Sequence, residues 1–487
     1  MSTMFDIHNK PNSDGIVKGV SGNYEQFSQI INELVDNSIS NYRAHEDEAG
    51  FLPVIDITVT EYDKTVEVFV KDNGTGLRNL DADLTLAGAG CAETVLNEHG
   101  FGLKTALSSV DSWTIYTCTK EDVKLGQHKK IFGPYSFEKF KGWLCEGDCP
   151  DCFCPGTTVR FTCSKAMFQT LKPANRRAKD GFWALIKYLR EELGYTYAKV
   201  LADREVAITV KGISGEKEEE KEVEAVMPKW EKRIKLPTVK TDLGGGAVEV
   251  DCEYGTIIPC RKNAKYYKAN LTSSGVEIRV NGRVIECGLY SRIWNEAPHP
   301  SQNRFLAQVC ITTDKASALP VTHSSKNGFR KGDEKLESLY SWIRKNIQKP
   351  EKNNQSLERR LVACLAAKME QQPGVLRVSM EEGAYTSIGS KSRIDLFVSA
   401  EEKAVIYEAK AHTTRAENLY QLMLYWDGCA MDGKPVDEAV LIAERHPSEV
   451  FMLLDQLNTQ KDPTGRPYHF RVTTWEAAGI PLPSICA

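Results

Sequence analysis

Two sets of residues in this sequence have the types and spacing that chemistry on phosphates requires. The first begins in ELVDNSIS, where Glu33 and Asn37 stand four apart and so share one face of a helix. A carboxylate and an amide one turn apart can position a water molecule and a divalent cation. DNGTGL (Asp72–Leu77) directly ends an alternating run, and its glycines Gly74 and Gly76 let the backbone approach a flat ligand closely. HGFGLKTA (His99–Ala106) puts Gly100 and Gly102 in a turn that opens a helix. Its amides and dipole suit phosphate, and Lys104 adds a positive charge. PGTTVRF (Pro155–Phe161), with Thr157 and Thr158, is a turn feeding a strand.

The second set lies in SRIDLFVSAEEKAVIYEAKAH, where Glu408 and Lys410 are two apart on a strand and project from one face. A hairpin whose turn centres between Glu401 and Glu402 sets Asp395 directly opposite Glu408, with Cβ atoms roughly 4.5–5.5 Å apart. Carboxylates that close repel each other unless a cation sits between them, and Mg²⁺ favours such oxygen ligands. Lys410 beside them could steady an attacking hydroxide or a pentavalent phosphate.

A third cluster, CEGDCPDCFC, brings Cys145, Cys149, Cys152 and Cys154 within ten residues. Four thiolates can hold a structural zinc ion tetrahedrally at about 2.3 Å each. The tight Cys-x-Cys end, and the lack of two well-separated Cys-x2-Cys units, leave reduced loop thiols or a site sharing other ligands as alternatives.

The elements that must carry these residues follow from periodicity. Phe27, Ile30, Ile31, Leu34 and Val35 recur at helical spacing between Tyr24 and about Arg43. VIDITVT (Val54–Thr60) and TVEVFVKD (Thr65–Asp72) alternate as a strand pair, and SWTIYTCT is a further strand. Between them a Gly/Ala-rich stretch (Leu86–Ala92) leads into a helix opening at Gly100–Ser109. A second αβ region begins with a helix around Phe182–Leu193 and contains the alternating GVEIRVNGRVIE. The charge run GEKEEEKEVE (Gly215–Glu224) is expected as a solvated loop between strands, and GGGAVEV as a turn followed by a strand. IQKPEKNNQ (Ile347–Gln355) is the clearest linker. Beyond it come a helix (Ser356–Gln371), the strand pair Arg393–Lys410, a helix (Arg415–Trp426) and a final αβ portion.

The first set, in its order and spacing, resembles the gyrase/heat-shock-chaperone/histidine-kinase/MutL (GHKL) ATPase superfamily, and HGFGLKTA is similar to its Microrchidia (MORC) branch. The resemblance spans about residues 20 to 165 and continues more weakly to about 345. It implies that Glu33 is the general base orienting the attacking water and that Asn37 holds Mg²⁺. It implies that Asp72 accepts from the adenine amino group, with Gly74 and Gly76 shaping the pocket. Gly100, Gly102 and Lys104 would cradle phosphates, Thr157 or Thr158 would support the adenine end, and residues 78–99 would form the lid. The extra glycine usual shortly before the Gly-x-Gly is missing at its expected place, although Gly88 and Gly90 lie upstream. The second region resembles the transducer of DNA-acting members, which supplies a lysine to the γ-phosphate; THSSKNGF offers Lys326 for that role. ATP-gated homodimerisation is part of the same expectation.

The second set resembles the PD-(D/E)xK nuclease superfamily over about residues 355 to 430. Gln421 and Tyr425 form the Gln-x3-Tyr signature of its RecB-like branch, and Glu358 matches that family's additional acidic residue. Ile394 stands where a proline-like residue often precedes the first Asp. The expected fold is therefore multidomain, α+β and α/β. It comprises a GHKL Bergerat-type αβ sandwich (1–165), a transducer-like αβ domain (166–346) and a restriction-endonuclease-like αβ domain (356–487).

Composition fits this reading. At 487 residues the chain exceeds one hydrophobic core, and 41% hydrophobic with 26% charged residues is ordinary for a soluble protein. No run approaches the roughly 20 apolar residues of a membrane helix. The N-terminus has neither the basic start nor the apolar stretch of a secretory signal, and most of the 14 cysteines lie singly in apolar segments, so a cytoplasmic setting is expected. A net charge of −4 argues against a globally basic nucleic-acid coat but leaves local patches. CRKNAKYYKAN (Cys260–Asn270) and LKPANRR (Leu171–Arg177) are such patches, each as readily a solvated face as a DNA contact.

The leading expectation is an ATP-regulated, Mg²⁺-dependent DNA endonuclease, by analogy in prokaryotic genome defence with accessory defence proteins as partners. The alternatives are an ATP-gated DNA clamp that does not cleave, and a chaperone-like or signalling ATPase. A histidine kinase would need a phosphoacceptor helix upstream, and only about 20 residues precede Tyr24.

Overall fold

The protein is described by a computed structural model over residues 24 to 482, except 25, 47–51, 85–101, 134–140, 152, 174–178, 271, 324–325, 351–356 and 391. The chain divides into two compact units, residues 1–351 and 352–487.

The first unit holds two sheets. Strands β1 (Val54–Glu61) and β2 (Thr65–Asp72) pair antiparallel and bury Ile55, Ile57, Val59, Val66, Val68 and Val70 on one face. That strict alternation is what a half-buried sheet requires. The Phe27–Ala44 helix lies against this face, with Phe27, Ile30, Ile31, Leu34 and Val35 in the same core. The other strands are β3 (Ser112–Cys118), β4 (Gln127–Phe132), β5 (Lys141–Glu146), β6 (Gly156–Ser164), β7 (Ala207–Ser214) and β8 (Lys217–Glu222). Their order is β5-β4-β3-β6-β2-β1-β7-β8.

This sheet runs past residue 165, because β7 pairs parallel with β1 along its whole length. The Phe182–Thr196 helix shares the core of the Phe27–Ala44 helix. The charge run expected as a loop is largely the edge strand β8, paired with β7. An edge strand needs a neighbour on one side only, so its charges stay in water and discourage further strand pairing.

The second sheet contains β9 (Lys229–Lys235), β10 (Val239–Asp242), β11 (Ala247–Ile258), β12 (Gly275–Val280), β13 (Arg283–Glu286) and β14 (Phe305–Thr312). Its order is β10-β11-β14-β12-β13, with β9 also on β11. The Glu334–Asn346 helix closes its core with Leu336, Leu339 and Ile343. The alternating GVEIRVNGRVIE is the β12–β13 hairpin. Its turn residues Asn281 and Gly282 have φ of +48° and +86°, as a tight two-residue hairpin turn demands. Arg283 leaves that turn directly into the site.

The second unit is a five-stranded mixed sheet between helices. In order it contains β15 (Val375–Gly383), β16 (Arg393–Ala400), β17 (Ala404–Ala409), β18 (Glu438–Ala443) and β19 (Phe470–Thr474). The first three are antiparallel, and the last three run parallel. The Leu357–Glu370 helix contributes Leu361, Val362 and Leu365 to one core, while the Ala416–Met431 and Ser448–Leu457 helices fill another. Covered on both faces, β18 (EAVLIA) is buried throughout, as a parallel central strand should be. Among the described residues no helix is long and apolar enough to cross a membrane.

Candidate functional site

A cavity opens between the Phe27–Ala44 helix and the β2, β3 and β6 ends, with Asn37, Asp72, Thr75, Gly76, Lys104 and Thr157 in its wall. Asp72, the last residue of β2, is fixed by three donors. Its Oδ1 accepts from the Gly74 amide (2.9 Å) and the Thr157 amide (3.3 Å), and its Oδ2 from Ser38 Oγ (3.0 Å). Burial pushes the Asp72 carboxyl up to about 6, against the lowering effect of those bonds.

The DNGTGL turn is clamped to the helix by Asn41, whose side chain donates to Thr75 Oγ1 and accepts from the Thr75 amide, each at 2.9 Å. A Cβ at Gly74 would collide with Asn41 Oδ1, and one at Gly76 (φ +75°) with the Cys118 carbonyl. Both glycines are therefore steric requirements of the turn.

Asn37 faces the cavity with Nδ2 buried and without a partner. Lys104, near the start of the Gly102–Ser108 helix, is buried, which lowers its ammonium to about 8, partly opposed by Asp83. Of the two candidate threonines only Thr157 lines the cavity, since Thr158 Oγ1 donates to the Asp151 carbonyl at 2.5 Å. Gly100 and most of the 78–99 segment lie outside the described residues.

Glu33 stands behind the cavity wall, 1% exposed, and so close to Gly102 that a Cβ there would strike its Oε2. Lys326 arrives from the second sheet's side, on the Thr322–Phe329 loop, and places Nζ 3.1 Å from both Glu33 Oε2 and Asp36 Oδ2. Burial raises the Glu33 carboxyl, with Lys326 opposing. Burial would lower the Lys326 ammonium, but the Asp36 and Glu33 carboxylates outweigh it and hold it above its ordinary value. The Tyr24 phenol lies beside the Glu33 carboxyl and is raised by burial and by that neighbouring charge.

Residues 24–131 match the family profile described as Histidine kinase-, DNA gyrase B-, and HSP90-like ATPase. This segment is a GHKL-type ATPase domain. Two solved structures are similar to a larger part of the chain. The crystal structure of the N terminal domain of a DNA repair protein is 14% identical, covering 68% of this chain and 96% of that one, with a TM-score of 0.41. A topoisomerase IV ATP binding domain of Francisella tularensis, in complex with a small molecule inhibitor, is 16% identical, covering 69% and 93%, with a TM-score of 0.36. No curated protein matches the chain in sequence.

The cavity beside the Phe27–Ala44 helix lies largely within the matched segment. Asp72 offers an oriented acceptor to an amino group, and the unpartnered Asn37 amide is a side chain in need of a ligand. Asn41, Ser38 and Asp36, which the sequence did not single out, complete the site. Their common signal is position, since all three lie on the cavity-facing helix within eight residues of Glu33.

In the second unit, β16 and β17 pair from Leu396↔Tyr407 to Ser399↔Ala404, which makes Asp395 and Glu408 next in line. Asp395 Oδ2 accepts from the Ala409 amide at 2.7 Å. Glu408 is 1% exposed; its Oε1 meets Lys410 Nζ at 2.5 Å. Burial and the neighbouring Asp395 charge push the Glu408 carboxyl up to about 8. Glu358, on the Leu357–Glu370 helix, accepts from the Ala411 amide (3.3 Å) and lies 4.0 Å from Lys410 Nζ. Burial raises its carboxyl as well, against the pull of Lys410. Trp475 Nε1 donates to the Lys410 carbonyl (3.0 Å). Gln421 donates to Tyr425 OH (2.9 Å), and that phenol is raised by burial and by the Glu408 and Asp395 charges. Glu358, Asp395, Glu408, Lys410 and Tyr425 are thus gathered at one end of the sheet, with Gln421 holding Tyr425.

The cysteines are less organised. Cys149 is buried against Cys118 and Tyr116, Cys145 is half-buried, Cys154 is exposed, and Cys152 lies outside the described residues. Among the described residues no group of three or more His, Cys, Asp or Glu side chains is placed to hold a metal ion. In CRKNAKYYKAN the tyrosines turn inward: Tyr266 stacks on Tyr195 at 3.5 Å and Tyr267 is 1% exposed, so neither ring is free to stack on a base. Lys265 pairs with Glu192, leaving Arg261 and Lys262 exposed. Part of LKPANRR lies outside the described residues.

Proposed function

We propose that this chain is an ATP-regulated, Mg²⁺-dependent DNA endonuclease that works as an ATP-gated homodimer. In the ATPase domain Asp72 reads adenine, Asn37 holds the nucleotide's Mg²⁺, and Gly100, Gly102 and Lys104 cradle phosphates. Glu33 is the general base, and Lys326, 3.1 Å from Glu33 Oε2, serves the γ-phosphate. ATP closes the clamp on DNA and so presents it to the second unit, which cleaves it. A cytoplasmic role in genome defence, with accessory defence proteins, is the setting this activity fits.

The observation that carries the nuclease half is the buried Glu408 carboxyl set directly beside Asp395, with Lys410 and Glu358 around it. Two acidic groups held that close repel each other unless a proton or a cation lies between them. The donor set at this place is oxygen only, which fits Mg²⁺, held by Asp395 and Glu408. Once bound, Mg²⁺ supplies Lewis-acid activation of a phosphodiester and its water. Lys410, held by Glu408 and by the Trp475 contact to its carbonyl, steadies the developing charge. Glu358 holds the strand end through the Ala411 amide, and Gln421 orients Tyr425 toward the carboxylates.

The test incubates purified protein with supercoiled and linear DNA, Mg²⁺ and either ATP or none, alongside Lys410→Ala and Glu33→Ala. Cutting is expected to vanish in Lys410→Ala with ATP hydrolysis retained, and to change with ATP and in Glu33→Ala. Cutting that survives Lys410→Ala would overturn the site. ATP hydrolysis without any cutting would favour a clamp that binds DNA and does not cleave.

A further inference from the structure

Resting on the reading of Glu33 as general base and Lys326 as the γ-phosphate lysine, we propose that Asp36 is the positioning residue that sets Lys326 for hydrolysis, with Arg283 and Tyr197 bracing it. Asp36 is one helical turn from Glu33, fully buried, and absent from the cavity wall. Both of its oxygens are occupied. Oδ1 accepts from Tyr197 OH at 2.8 Å and sits 2.9 Å from Arg283 Nε, an ion pair whose N–H is not aimed at the oxygen. Oδ2 faces Lys326 Nζ at 3.1 Å. Each oxygen of Asp36 is thus committed to a protein partner, and the residue is 0% exposed and takes no part in the cavity wall. Asp36 therefore acts through other residues.

Arg283 closes the arrangement. Its Nη1 donates to the Lys326 carbonyl at 2.9 Å, so the residue that braces Asp36 also grips the backbone of the lysine. Lys326 has φ of +48°, a conformation that costs a non-glycine residue energy and persists only when its surroundings enforce it. The loop's base is enforced separately, by the Thr322–Phe329 bridge and by the Phe329 amide donating to Glu286. Lys326 itself is held by its amide donating to the His323 carbonyl (2.8 Å), by Arg283 on its carbonyl, and by Asp36 and Glu33 on its ammonium. Tyr197 ties Asp36 Oδ1 to the helix, since its hydroxyl also lies 2.9 Å from the Asn32 carbonyl.

Charge accounts for why the lysine stays. Two carboxylates and two cations form a buried, balanced group: Glu33, Asp36, Lys326 and Arg283. Such a group returns little net stability for its desolvation, and its best-attested use is to fix one geometry. Without Asp36 the lysine would face Glu33 alone, and its carbonyl grip would rest on an Arg283 that has lost its counterion.

The test is a double-mutant cycle in the full-length protein, reading steady-state ATP hydrolysis, nucleotide affinity by calorimetry, and thermal unfolding. Asp36→Asn keeps the shape and removes the charge. It is expected to lower kcat about tenfold or more while leaving nucleotide affinity within about threefold, the pattern of a misplaced group rather than lost binding. In a Lys326→Met background the same change is expected to cost nothing further in kcat. Additive losses, or a normal kcat in Asp36→Asn, would overturn the proposal. Should Asp36→Asn unfold, Arg283→Lys replaces it; Lys cannot hold Asp36 and the Lys326 carbonyl together, and the same non-additivity with Lys326→Met is required. Glu33→Gln separates the two levels: normal hydrolysis in Glu33→Gln defeats the underlying reading, whereas slow hydrolysis there with additive Asp36→Asn defeats this inference alone.

Discussion

At the residue scale, Asp72 combines fixed geometry with a shifted titration. Two amides and Ser38 hold its oxygens, yet burial lifts its carboxyl to about 6. A folded-state value above the ordinary carboxylate range means the protonated form is favoured by folding. That contribution to stability is present below the unfolded value and is lost as pH rises through about 6. An acceptor for an amino group works best ionised, so nucleotide binding should weaken as pH falls through the same range. Between pH 7.5 and 5.5 the loss attributable to Asp72 should be about fourfold, from the change in its ionised fraction. Calorimetry on Asp72→Asn supplies the baseline, since the nucleotide phosphates titrate nearby. An Asp72→Asn variant as pH-sensitive as the parent would remove Asp72 from the account. Asp72 and Glu33 were legible because each sits in a short motif. Asp36 was not, because the residues that define its role, Tyr197, Arg283 and Lys326, come from distant parts of the chain.

At the scale of elements, alternation and helical spacing located β1, β2, β16, β17 and the Phe27–Ala44 helix, because each buries one face and leaves a local record of it. Pairing partners leave no such record. The parallel ladder of β1 with β7 joins Val54–Glu61 to Ala207–Ser214 across the intervening chain, and β8 is written entirely in charges because an edge strand has little to bury. The β12–β13 turn is where a local signal matters most for the site, since Asn281 and Gly282 aim Arg283. A Cβ at Gly282 would stand 3.1 Å from Val200 Cγ2 in addition to facing an unfavourable φ of +86°. Gly282→Ala should therefore destabilise the first unit by about 1–2 kcal/mol. It should also depress ATP hydrolysis in the protein that remains folded. Urea unfolding gives the first quantity; an unchanged midpoint would mean the turn does not adopt this conformation in solution.

At the scale of the whole molecule, the two units differ in what they need to stand alone. The site proposed for ATP hydrolysis draws residues from both sheets of the first unit, so neither sheet can be removed without taking Glu33 or Lys326 away. The second unit has one sheet, cores on both of its faces, and every proposed nuclease residue inside its own limits. Its length is typical of an independent domain. Residues 352–487 produced alone should therefore unfold in one cooperative transition and bind Mg²⁺ at Asp395 and Glu408. Under the proposed function they should also cut DNA without responding to ATP, because every residue proposed to bind the nucleotide lies within residues 1–351. Circular dichroism in urea and a cleavage assay read the two outcomes separately. A folded fragment that cuts only when residues 1–351 and ATP are restored would place activation, rather than mere recruitment of DNA, in the ATPase domain. A fragment that folds and cuts as fast as the whole chain with ATP would instead confine the ATPase to capturing DNA.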